Sequence, residues 1–257
     1  MTRSWFAYVR PNPDARLRLF CLPFAGGAAV SYRSWAQHLP DSVEVLPVEL
    51  PGRGTRIAEP PALALDPLVE QLAQAITPLL DRPFALWGHS MGALLCYELA
   101  RQLRRTAGLS PAQLLVSAHR APHLPNPHGS NHKLADPALL EKIRSLNGTP
   151  PDVLAQPDLV QLLLPVVRAD FTVCETYVHT PAPPLECPIA VFGGTYDPMV
   201  ERWQLAAWSR HTQHPVQVQM LPGDHFYFQS NPPAFFALLR EALLREQAAP
   251  AAEVSYA

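Results

Sequence analysis

The groups best able to do chemistry in this chain are a serine, an aspartate and a histidine far apart in sequence. Ser90 sits in Gly88-His89-Ser90-Met91-Gly92, after the apolar run Phe84-Ala85-Leu86-Trp87 and before a segment of helical character over residues 93–103. A strand, a sharp turn and a helix in that order lift a serine hydroxyl to an exposed, strained tip. The flanking glycines remove Cβ atoms that would otherwise clash there. The helix that follows points N–H groups at any negative charge forming beside the hydroxyl. Taken alone, the five residues also fit a glycine-rich turn ahead of a buried helix.

A serine hydroxyl is a poor nucleophile at neutral pH and needs an adjacent base. Of the ten histidines, His225 in Gly223-Asp224-His225-Phe226 lies on a loop directly after a late strand. His89, inside the turn, directs its ring away from Ser90. His119, His123, His128 and His132 could suggest a metal cluster, but Pro122, Pro125 and Pro127 break any helix that would align them, so no metal is expected. The base in turn needs an acid to hold its tautomer. Asp197 follows the run 188–192 through Gly193-Gly194-Thr195-Tyr196, which places it at the carboxyl edge of a sheet. The preceding strand ends Ser117-Ala118-His119-Arg120 without a carboxylate, Asp224 is badly placed to bond its neighbour's ring, and Asp170 falls within a helix. A turn residue ahead of Pro198 is the plainer reading of Asp197.

A developing oxyanion needs backbone donors. The N–H of Met91 is one. Ala25 is the expected second, because Gly26-Gly27 behind it lets the backbone turn its amides inward. No Lys-Ser or Lys-Thr pair follows these glycines and no third glycine completes a dinucleotide fingerprint, so no cofactor is expected.

The intervening chain must carry these groups to one place. Apolar runs at 16–22, 43–48, 84–87, 113–118, 188–192 and 216–221 read as strands. Residues 31–38, 66–80, 93–103, 200–211 and 233–246 read as helices; Leu68, Val69, Leu72, Ala73, Ile76 and Leu79 show the spacing. Strands alternating with helices predict an α/β architecture, a mostly parallel central sheet flanked by helices. From about residue 120 to 185 the alternation stops. Helical pieces near 137–146, 152–154 and 159–178 stand instead, joined by Pro-, Asn- and Gly-rich loops. The expected organisation is a core over 1–119 and 186–246, a helical lid insertion over 120–185 covering the nucleophile, and a disordered tail over 247–257.

At 257 residues and 48% hydrophobic, the chain suits one α/β domain with an insertion. A formal net charge of −2 and the lack of a dense Lys/Arg tract argue against a nucleic-acid partner. The four cysteines, Cys21, Cys96, Cys174 and Cys187, are scattered, mostly beside apolar runs, which suits small core residues in a reducing cytoplasm. No apolar leader and no apolar stretch of membrane-spanning length are present, so a cytoplasmic protein without membrane attachment is expected.

Ser, then acid, then His is the α/β-hydrolase order, and the chain resembles the type II thioesterases. These are the stand-alone editing hydrolases that accompany modular polyketide synthases and non-ribosomal peptide synthetases. The stretches that carry the resemblance are Leu22-Pro23-Phe24-Ala25-Gly26-Gly27, Leu50-Pro51-Gly52-Arg53-Gly54, Gly88-His89-Ser90-Met91-Gly92, Arg168-Ala169-Asp170-Phe171, Gly193-Gly194-Thr195-Tyr196-Asp197 and Gly223-Asp224-His225-Phe226. The resemblance implies an α/β-hydrolase fold with a mobile helical lid, a Ser90-Asp197-His225 triad, and a monomer that hydrolyses acyl thioesters on the phosphopantetheine of acyl or peptidyl carrier proteins. Arg53 and Asp170 recur in the family pattern; the first is expected to tie down a loop at the rim, the second to be a lid-helix contact.

Phe24, Leu162, Val166, Phe171 and Phe226 are candidates for lining an acyl channel, with packing against the core as the other reading of the lid residues. Carrier proteins are usually acidic, which makes Lys133, Lys142 and Arg144 candidate docking residues. Three rivals remain: a small carboxylesterase or lipase, a chain-releasing thioesterase cut from a synthase, and an inactive hydrolase fold used for binding. The fold's start close to the N-terminus favours a free-standing protein over the second.

Overall fold

The computed structural model describes residues 4–247. Six strands form one parallel sheet: β1 (Leu17–Leu22), β2 (Val43–Pro47), β3 (Phe84–His89), β4 (Gln113–Ser117), β5 (Ile189–Gly194) and β6 (Val218–Leu221). Their spatial order is β2-β1-β3-β4-β5-β6. The chain moves from β1 outward to β2, then crosses back to lay β3 on the other side of β1. Strand order therefore reverses between β1 and β3, and the loops leaving their carboxyl ends part to leave a crevice. The loop of Ala25 and the turn of Ser90 border that crevice.

The period of two in the strands sends alternate residues to opposite faces. Phe20, Leu22, Leu86, Leu114 and Val116 join one buried cluster with helices α1 (Leu65–Ile76) and α2 (Met91–Ala107). Leu19, Cys21, Ala85, Trp87 and Leu115 join another with Tyr32, Trp35 and the last helix, α8 (Pro232–Gln247 in chain order). Between β4 and β5 lie α3 (Asp136–Leu146), α4 (Pro151–Leu154) and α5 (Pro157–Glu175). Leu139, Ile143 and Val167 give these helices a small core of their own. After β5 come α6 (Arg202–Ala206) and, past β6, the short α7 (Tyr227–Ser230).

Several boundaries differ from expectation. Residues 31–38 form two short 3-10 turns rather than one helix, broken at Arg33 and Ser34. The helix expected over 66–80 ends as α-helix at Ile76, because Pro78 cannot supply the next N–H, and continues as 3-10. The helix expected over 200–211 is likewise split into α6 and a 3-10 turn. The tail expected over 247–257 lies outside the described residues except for Gln247, which ends α8.

The β3–α2 junction explains the spacing of its two glycines. Neither is needed for a positive φ; both are needed for close approach. A Cβ on Gly88 would lie 2.0 Å from the Gly92 carbonyl oxygen, and one on Gly92 would lie 2.4 Å from that of Leu22. The helix thus starts pressed against the ends of two strands.

A second polar cluster sits against α2, away from this junction. The Tyr97 hydroxyl lies 2.8 Å from His211 Nδ1, whose Nε2 lies 2.8 Å from His123 Nδ1. Burial, then the neighbouring His123 and His179, pushes His211 down to about 3. Burial, reinforced by Arg120, also pushes His119 down to about 3.

Two outcomes are expected. Gly92→Ala forces backbone apart, so urea unfolding should show a loss of about 1–3 kcal/mol, the usual effect of overpacking. For the histidines, the folded values lie below the unfolded value near 6.5, so their contribution is complete above that pH and is lost as pH falls toward 3. His211→Gln should flatten the stability–pH slope in that window by up to one proton, about 1.4 kcal/mol per pH unit. An unchanged slope between pH 6.5 and 4.5 would contradict this.

Candidate active site

Ser90 occupies the strained turn between β3 and α2, at φ 54° and ψ −118°. A non-glycine residue in this region is held there only by its surroundings. Its N–H donates to the Ser117 carbonyl at 2.8 Å and its carbonyl accepts the Ala93 N–H at 3.0 Å. The turn is therefore tied to β4 on one side and to its own helix on the other.

His225 follows β6 and is buried, with Nδ1 2.9 Å from Asp197 Oδ2 and 3.1 Å from Oδ1. Asp197 follows β5; its side chain is only 1% exposed, and Oδ1 also accepts the Met199 N–H at 2.8 Å. A carboxylate accepts, so the imidazole carries its proton on Nδ1 and leaves Nε2 as the basic nitrogen. Asp224 is occupied elsewhere: it accepts the Phe226 N–H at 2.9 Å and the Asn147 side-chain amide at 3.1 Å.

Two cavities meet at Ser90, and Ala25, Phe171 and His225 border both. The first, about 70 Å³, is lined in addition by Met91, His119, Arg120, Asn126, His128, Asn131, Cys174 and Glu175 among others. The second, about 40 Å³, is apolar, with Phe24, Ile143, Leu146, Val167 and Phe226 in its wall. Both expected oxyanion residues, Ala25 and Met91, thus line the cavity that holds Ser90. Cys174, in the wall of the same cavity, is no rival nucleophile, because burial pushes its thiol well up and keeps it protonated.

His89 bonds through Nδ1 to Ser117 Oγ at 2.9 Å, and Ser117 Oγ lies 2.6 Å from the Tyr227 hydroxyl. Its ring packs against Phe24, His225, Phe226 and Phe228. Burial holds it well below the usual histidine range, so it is a neutral packing partner beneath His225. The histidines that could have suggested a metal have separate partners: His119 with the Arg120 carbonyl, His123 with His211, His128 with the Met199 carbonyl and His132 with Glu175.

Of the acyl-channel candidates, Phe24, Phe171 and Phe226 line the apolar cavity. Two are corrected. Leu162 is 56% exposed on the outer face of α5, and Val166, though buried, is not among the residues bordering either cavity. Val167 takes that place, one position along the helix. Gly148, between α3 and α4, is a wall residue with no signal in the sequence; a Cβ there would lie 2.2 Å from the Phe226 ring. The docking candidates do not border either cavity: Lys133 and Arg144 are exposed, Arg144 pairs with Glu141, and Lys142 Nζ contacts Met199 Sδ at 3.3 Å.

Arg53 and Asp170 form a buried bidentate pair, with Nη1–Oδ2 and Nη2–Oδ1 both 2.7 Å. Asp170 also accepts the Gly26 N–H, and Arg53 donates to the Gly27 carbonyl. The expected loop tie and lid-helix contact are one structure.

Residues 17–243 match the family described as Thioesterase domain. The gramicidin S biosynthesis protein GrsT of Aneurinibacillus migulanus is 44% identical over 224 residues, covering 87% of this chain and 88% of that relative. The type II thioesterase BorB from the borrelidin biosynthetic cluster superposes with a TM-score of 0.85 at 40% identity, over 95% of this chain and 100% of its own. RedJ, the thioesterase of the prodiginine pathway in Streptomyces coelicolor, gives 0.85 at 40% identity, over 90% of this chain and 87% of its own. Among the described residues no helix is long and apolar enough to cross a membrane. The family match over most of the chain, joined to a strained serine turn beside a buried histidine–aspartate bond, leads to one conclusion: the chain belongs to the thioesterase domain family and is an acyl-thioester hydrolase of the serine hydrolase type.

Proposed function

We propose that the chain is an editing thioesterase that clears stalled or aberrant acyl groups from the phosphopantetheine arms of carrier proteins, with Ser90, His225 and Asp197 as its triad. The observation that carries this reading is the Asp197–His225 bond beside a cavity shared with Ser90. His225 Nε2 takes the Ser90 proton as Oγ attacks the thioester carbonyl. The amides of Met91 and Ala25 receive the oxyanion. The carbon–sulfur bond breaks and the sulfur leaves as the thiol, taking the proton from His225. Water, deprotonated by the same nitrogen, then attacks the acyl-serine, releasing the carboxylic acid and restoring Ser90.

A thiol with pKa about 8.5 leaves far more easily than an alcohol, so modest acid assistance is enough. The two cavities that meet at Ser90, about 70 and 40 Å³, support small acyl groups. Residues 120–185 serve as the lid in this reading, since α3 and α5 supply Ile143, Leu146, Val167 and Phe171 to the cavity walls. The family context and the names of the relatives support a carrier-protein partner, with Lys133, Lys142 and Arg144 as docking residues on a monomeric enzyme.

Ser90→Ala should lower turnover by several orders of magnitude, and Asp197→Asn should be severely impaired through loss of the imidazole tautomer. Both are read by release of free thiol from an acyl-carrier thioester. Near-normal activity in Ser90→Ala would end the assignment. A panel of acyl groups on a carrier domain and on coenzyme A, with matched oxygen esters, should show fastest release of short acyl groups from the carrier. Faster turnover of the oxygen esters would point to a carboxylesterase.

A further inference from the structure

We propose that Arg53 and Asp170 are positioning residues for the oxyanion loop, and that the loop holds its working shape only while helix α5 is seated on it. This rests on the reading of Ala25 as an oxyanion donor. Residues Phe24-Ala25-Gly26-Gly27 form a β-turn, closed by the Gly27 N–H donating to the Phe24 carbonyl at 2.8 Å, with Gly26 at φ 75°. A positive φ at the third position is that of a type II turn. The expected donor, the Ala25 N–H, belongs to the preceding peptide, Phe24–Ala25, and its direction is set through the Ala25 torsions by the central peptide, Ala25–Gly26.

That peptide is held from outside. Its N–H, on Gly26, donates to Asp170 Oδ2 at 2.8 Å. Arg53 Nη1 donates both to the same Oδ2 at 2.7 Å and to the Gly27 carbonyl at 3.1 Å, while Nη2 donates to Asp170 Oδ1 at 2.7 Å. One ion pair therefore grips the middle and the end of the turn. The two side chains are 7% and 4% exposed, so water does not compete for these bonds.

Stability alone does not account for the arrangement. A buried ion pair is often no better for a fold than apolar residues of similar volume. A charged, bidentate acceptor is, however, well suited to fixing an amide in one direction. Helix α5 also meets the turn three residues earlier, where Val167 Cγ2 would lie 2.7 Å from a Cβ on Gly26. The same face of α5 thus presses on the turn and bonds it. Moving α5 outward removes both contacts together, so the insertion and the oxyanion loop form one mechanical unit.

Asp170→Leu deletes the acceptor, Asp170→Asn keeps an acceptor oxygen for Gly26, and the pair Arg53→Met with Asp170→Leu removes both charges without stranding either. Each is checked for folding by circular dichroism and thermal unfolding. The rate of N-acetylcysteamine thioester hydrolysis then gives kcat and KM, and a trifluoromethyl ketone analogue reports affinity for the tetrahedral state. The folded double variant should lose about 10- to 100-fold in kcat with KM changed less than about twofold, somewhat below the effect of deleting an oxyanion donor outright. Ketone affinity should fall in step with kcat/KM. Asp170→Asn should recover at least half of the Asp170→Leu loss on a logarithmic scale, and it carries the test should the double variant not fold. Wild-type kcat in the folded double variant, a loss confined to KM, or no recovery in Asp170→Asn would overturn the proposal. Ser90→Ala runs alongside: if it is inactive while these variants match wild type, only the loop proposal falls, whereas activity in Ser90→Ala removes the reading of the site itself.

Discussion

Everything at the candidate site depends on how closely the backbone after β3 approaches the backbone after β1. The first turn of α2 lies against the Leu22 carbonyl, at a distance that excludes even a methyl group on Gly92. That approach bends the chain sharply enough to hold Ser90 at positive φ. It also brings the amide of Met91 and the turn at Ala25 to the same cavity. The two loops come from strands adjacent in the sheet but separated in the chain by β2 and α1, the arrangement that a reversal of strand order creates. Sheet topology and the position of a hydroxyl are in this sense one constraint.

Around that point the interior is arranged so that few charges are present. Burial keeps His89 and His119 neutral, and keeps the Cys174 thiol and the Tyr227 hydroxyl protonated. Two carboxylates buried beside the site each face a partner. Asp197 faces His225, and Asp170 faces Arg53. A site of low polarizability with a few fixed dipoles favours charge separation only where a complementary group already waits.

The six-stranded sheet was legible in the sequence because each strand is a short apolar run set between helical segments, and local patterns suffice to find it. The placing of Ser90, Asp197 and His225 was legible for a related reason: each stands past a strand's carboxyl end, and the sheet brings those ends together. Pairing across long chain separations was not. Arg53 and Asp170 are 117 positions apart, and nothing local to either announces the bond. The shift from Val166 to Val167 has another origin. Helix α5 adds Val160 and Leu164 to the stripe formed by Leu159, Leu162, Leu163, Val166 and Val167, so its apolar face is wide and its periodicity does not single out which residue meets the cavity. The 3-10 turns after β1 escaped because their residues are compatible with a continuous helix, and packing of Tyr32 and Trp35 decided otherwise.

Gly148 closes the account from the other side of the cavity. Its Cα rests against the Phe226 ring, and the neighbouring Asn147, itself at φ 57°, donates to Asp224. Both contacts land on residues flanking the imidazole, so the joint between α3 and α4 acts as a latch on the loop that carries it. Away from this joint, from the face of α5 that grips the turn at Gly26 and from the cavity walls, the insertion can drift in length and composition with little consequence for the reaction. At this joint the tolerance vanishes, and any lineage that remodels the outer helices inherits the obligation to keep one residue without a side chain there.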